Sequence, residues 1–108
     1  MTDLVSDKRV EQAMTYLAET DEDAAKAKAK VKAMEQFGKT IKAFAFLEAV
    51  GTVAEREAKS LTDEEYKKFL RAYEEAVMLS ERYANKRASE AGIREVWRSL
   101  QANRRQGG

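Results

Sequence analysis

The sequence predicts an all-α fold, and three observations carry that expectation. The chain contains no Pro. It is rich in Ala, Glu, Lys, Leu, Arg and Gln, which are strong helix formers. Its apolar residues recur three and four apart along most of its length, the spacing of one helix face. From the element lengths we expect a long antiparallel helical hairpin with a short N-terminal helix and a C-terminal helix or bent extension. The helices fall at about 6–19, 21–59, 62–88 and 89–105 by these signals, and 108 residues allow one helical domain, 1–108, and one core.

Taken in order, the first helix is expected to be capped by Ser6 or Asp7 and to carry Val10, Ala13, Met14 and Leu17 on one stripe. Thr20 and Asp21 offer the next cap, with Asp21, Glu22 and Asp23 placing negative charge where the dipole of a second helix favours it. That second helix continues to Lys59 through Gly38 and Gly51, each of which weakens a helix without having to stop it. Thr62 and Glu65 have the spacing of a capping box, and Leu61 with Tyr66 that of a hydrophobic staple, so a third helix is expected from Asp63. The short connection makes helices two and three an antiparallel hairpin.

The third helix carries Tyr66, Phe69, Leu70, Tyr73, Ala76, Val77, Ser80, Tyr83 and Ala84 as a seam. Projected at a straight-helix period, Ile93, Val96, Trp97 and Leu100 fall on a different side. Either the helix breaks near Ser89 to Gly92 and a fourth helix folds back, which we expect, or one straight helix offers a second face to another molecule.

Composition excludes whole classes of chemistry. With no Cys and no His, the chain can form no disulfide framework, zinc finger, thiolate nucleophile or Ser-His-Asp triad. Hydrophobic residues make up 44% and charged residues 36%, too apolar for a disordered chain, and a mean hydropathy of -0.66 is too polar for a membrane protein. The opening Met1 to Val10 has no apolar core of the kind a signal peptide needs, so a cytoplasmic setting is expected, and neither cofactor nor metal is implied. The net charge is +1, but unevenly spread: residues 80–108 hold 7 basic against 3 acidic side chains. Such an end fits either a phosphate or acidic partner or a solvated helix terminus.

Within Ile41 to Ala54 the chain is apolar nearly all round, and Phe44 and Phe46 point in almost opposite directions, so one stripe cannot bury both. Cover has to come from the first or last helix, or from a second copy of the chain. Phe44, Phe46, Leu47, Val50, Val53 and Trp97 are therefore the candidate protein interface. Glu48, the acid of this run, lacks the partners that acid–base catalysis needs, and Asp21 to Asp23 lack the ligand spacing of a calcium loop. Lys26, Lys28, Lys30 and Lys32 divide between two helix faces and read as solvated. The alternative site is nucleic-acid-binding: Lys86, Arg87, Arg94, Arg98, Arg104 and Arg105, arginines at helical spacing that could bracket phosphates.

The run Glu95-Val96-Trp97-Arg98-Ser99-Leu100-Gln101-Ala102-Asn103-Arg104-Arg105 resembles a C-terminal pattern of small helical proteins encoded by bacteriophages and prophages. The resemblance implies a bacterial cytoplasmic setting and a protein that docks on a larger host or phage protein, as inhibitors of nucleases and defence complexes do. It implies no catalytic residue. The function expected is thus a non-enzymatic helical protein-interaction module, bound to a protein partner or to itself as a homodimer. The alternative is a nucleic-acid-binding accessory protein using the basic C-terminal helix.

Overall fold

A computed structural model describes residues 5–107, which are helical almost throughout, with no strand among the described residues. Helix α1 spans Asp7–Glu48, α2 Val53–Thr62 and α3 Glu64–Gly107. The all-α hairpin expected from the sequence is present, with α1 and α3 as its arms and α2 between them. Two compact units divide it: the chain up to Ala25 with the chain from Glu81 onward, and Lys26–Ser80.

The boundaries follow from local hydrogen bonding. Ser6 caps α1, its hydroxyl accepting from the Arg9 N–H at 3.1 Å. No second helix begins at Asp21; α1 runs straight through, because the Thr20 hydroxyl donates back to the Tyr16 carbonyl (2.7 Å) instead of capping a new turn. The chain breaks instead at 49–52, inside the helix that was expected to run through Gly51 to Lys59. Gly51 has φ +128, a conformation L side chains rarely adopt, and Thr52 then caps α2 by accepting from the Glu55 N–H at 3.2 Å. The expected capping box at Thr62 and Glu65 does not form. Thr62 ends α2 with its hydroxyl turned back to the Ala58 and Lys59 carbonyls, and Asp63 caps α3 by accepting from the Tyr66 N–H at 3.0 Å. A carboxylate one residue on outcompetes the threonine because it accepts a charge-assisted bond. Finally, α3 continues unbroken past Gly92, and the expected fourth helix is its own continuation.

In the unit containing Lys26–Ser80, the inward positions on α1 are Ala27, Val31, Met34, Gly38, Ile41 and Ala45, and on α3 Tyr66, Phe69, Tyr73, Ala76 and Ser80, all buried or half-buried. Both rows alternate three and four apart, the heptad spacing of a coiled-coil seam. Small α1 residues face α3 aromatics. Phe69 stacks between Tyr66 and Tyr73, with ring centroids 6.4 and 5.9 Å apart, meets Phe37 edge-on at 6.4 Å, and lies against the bare backbone of Gly38. Each such ring pair adds about 0.5–1.5 kcal/mol beyond the area it buries. Tyr73 donates to Glu35 at 3.0 Å, which, with burial and the nearby negative charge, pushes its phenol above the usual range.

In the other unit the inward residues also recur three and four apart, but several of them are polar. Val10, Ala13, Leu17, Thr20 and Ala24 on α1 face Tyr83, Arg87, Glu90, Arg94, Trp97 and Gln101 on α3. Arg9 pairs with Glu90 through two contacts of 2.8 Å. Arg87 donates to the Leu17 carbonyl (2.8 Å) and the Thr20 hydroxyl (2.7 Å), and reaches Asp21 at 3.3 Å. Trp97 donates from its indole N–H to Asp7 at 2.9 Å. Within this unit the inward row from Tyr83 to Gln101 runs past Gly92 at the same spacing, so the apparent change of face there is a change of chemistry.

Candidate protein-interaction surface

The surface is built where α1 ends. The turn after α1 leaves carbonyls without backbone partners, and here α2 supplies cations to two of them: Arg56 Nε donates to the Ala49 carbonyl at 3.0 Å, and Lys59 Nζ donates to that of Val50. The Arg56 guanidinium also lies over the Phe46 ring, 5.4 Å from its centroid. Ser60, almost wholly buried, donates to the Glu57 carbonyl of its own helix at 2.7 Å, so α2 presents a small, satisfied residue to α1. These contacts hold α2 against the end of α1 and leave a groove of about 650 Å³ lined by Lys39, Lys42, Ala43, Phe46, Leu47, Glu57, Ser60 and Leu61. A smaller concavity of about 290 Å³, reaching Thr40 and Phe44, shares Lys39, Ala43 and Leu47 with it, so the apolar surface is continuous.

Of the interface residues expected from the sequence, four stand open: Phe44 is 61% exposed, Leu47 67%, Val50 77% and Val53 65%. Phe46 is half-buried beneath Arg56, its direction opposed to that of Phe44 as the projection requires. Trp97 belongs to the other unit, where it is half-buried and tied to Asp7. Sequence reasoning missed Lys39, Lys42, Glu57 and Leu61, which frame the groove. Lys39 and Lys42 with Phe46 do recur three and four apart, but in a single helix over 21–59 Glu57 and Leu61 have no place beside them; the separate α2 brings them there.

The basic residues are not gathered into one exposed row. Lys86 lies over the Tyr16 ring at 4.5 Å, Arg87 is held by α1, and Arg94 is half-buried with Nε 3.7 Å from Glu95. Arg98 contacts the same glutamate at 3.4 Å, while Arg104 and Arg105 are exposed in the last turns of α3. The straight helix that would have aligned the arginines instead turns Arg87 and Arg94 into the seam. Glu48 is exposed at the end of α1, and Asp21 of α1 pairs with Arg87 of α3. Lys26, Lys28, Lys30 and Lys32 are exposed, as the alternation implies. Among the described residues no group of three or more acidic side chains is placed to hold a metal, and no helix is long and apolar enough to cross a membrane.

Glu90 is coupled to Arg9 across the helix pair. Its hydrogen bond to Arg9 holds the carboxyl below the usual range against the opposing effect of burial, aided by the charges of Arg9 and Lys86; the same bond raises the Arg9 guanidinium. The groove sets apolar side chains beside two lysines of α1 and one glutamate of α2. No family model matches the chain, and no curated protein or solved structure is significantly similar to it.

Proposed function

We propose that the protein is a non-enzymatic helical protein-interaction module whose docking surface is the C-terminal end of α1 together with α2. The observation that carries this reading is the imbalance between what the chain buries and what it leaves in water. Among the described residues the buried hydrophobic side chains are Val10, Ala13, Ala27 and Ala76, none larger than valine, whereas Phe37, Phe44, Leu47, Val50, Val53 and Leu61 are all more than half exposed. Scattered exposed apolar residues are ordinary, but a continuous apolar surface rimmed by charge marks an association site. The phage-like C-terminal wording fits a docking protein and adds nothing catalytic. A nucleic-acid-binding role has less support, because Lys86 and Arg87 are engaged with α1.

A photo-crosslinking side chain placed at Leu47 or Phe44 tests the reading in cells that make the protein. It should yield a discrete adduct, with another protein or with the chain itself, while the same group at exposed Glu74 on α3 yields none. Absence of any adduct from both apolar positions would overturn the assignment of this surface.

A further inference from the structure

We infer that the occupant of this surface is a second copy of the chain, docked about a twofold axis so that Lys39 and Lys42 of each copy meet Glu57 of the other. The inference rests on the reading of the α1 and α2 surface as a docking site and names its partner.

Area gives the first argument. The chain exposes 8232 Å², whereas a compact monomer of 12.2 kDa exposes about 6,000 Å². The excess, about 2,000 Å² per chain and so about 4,000 Å² for two copies, lies within the about 2,000–5,000 Å² in total that the interfaces of obligate homodimers remove.

Charge gives the second. Lys39 and Lys42 line the groove from α1 together with Ala43 and Leu47, and Glu57 lines it from α2 together with Leu61. Among the described residues none forms an ion pair with either lysine or with the Glu57 carboxylate. A patch that carries both signs across an apolar centre is complementary to itself, which is what a twofold interface demands: residue i meets residue j, and j meets i. A partner of single-signed charge would satisfy one rim and oppose the other. Two copies satisfy both.

The test uses the full chain in solution, with mass from light scattering and helicity from circular dichroism. The unmodified protein should have twice the single-chain mass. Lys39→Glu with Lys42→Glu in one variant, and Glu57→Lys in another, should each stay helical and each weaken self-association by about tenfold or more, since like charges then face one another. Mixing the two variants in equal amounts should restore a dimer, because both copies of the contact become complementary again. A single-chain mass at every concentration overturns the inference, as does a dimer indifferent to these reversals or a mixture that fails to re-form. If the chain is monomeric while the Leu47 cross-link still captures a different protein, only the second copy is wrong. If the cross-link captures nothing, the docking surface itself is.

Discussion

Two glycines that look alike in the sequence have opposite roles. Gly38 and Gly92 both interrupt helical patterns, and both helices run through them. A Cβ at Gly38 would collide with the tip of the Phe69 ring, which cannot swing aside because Tyr66, Tyr73 and Phe37 pack around it. A Cβ at Gly92 meets nothing within 4 Å. Gly92→Ala should therefore stabilise the protein by about 0.5–1 kcal/mol through helix propensity. Gly38→Ala should destabilise it by about 1–3 kcal/mol, the overpacking overriding the same propensity gain. Thermal melts of the two variants check the pair of signs, and a stabilised Gly38→Ala would mean that Phe69 is free to move. Composition and spacing could mark both positions but not separate them, since the difference lies in a residue 31 positions away in the chain.

At the scale of elements, the sequence was read well where capping and spacing act locally and poorly where one helix depends on another. Ser6 as a cap and the apolar run through Ile41 were legible. Thr20 and Thr62 have the sequence context of caps but do not act as caps, because a threonine hydroxyl can equally turn back to the carbonyls three or four residues before it, as both do here. The face change at Gly92 was read from apolar residues alone and at a straight-helix period, which drifts ~20° per heptad from a coiled-coil seam. Arg87 and Glu90 occupy the seam because α1 offers Thr20, Asp21 and Arg9 to meet them. That arrangement has a pH signature. The Glu90 carboxyl is held below its ordinary value in the folded state, so its contribution is present above the unfolded value and is lost as pH falls through the lower, folded one. Glu90→Gln should thus be less stable than the parent at neutral pH, and the gap in melting temperature should close as pH drops below the usual carboxylate value of about 4.3. A gap that persists unchanged into acid would show that the ion pair with Arg9 is not its source.

At the scale of the whole molecule, the features that the sequence left open and the structure leaves uncovered are the same. A segment apolar on all sides was expected to need cover from the chain's own helices or from a second copy. Phe44, Leu47, Val50 and Val53 remain in water, and the Lys39, Lys42 and Glu57 rims remain without ion-pair partners among the described residues. The groove itself was not legible, since it depends on the Gly51 turn that brings Arg56 and Lys59 onto the end of α1. The central claim is that association completes the core which one chain lacks. Thermal unfolding followed by circular dichroism at widely separated protein concentrations tests it most directly. Because a partner that binds only the folded state stabilises it by mass action, the account predicts a midpoint that rises with concentration. A midpoint independent of concentration, at the mass of a single chain, would contradict it.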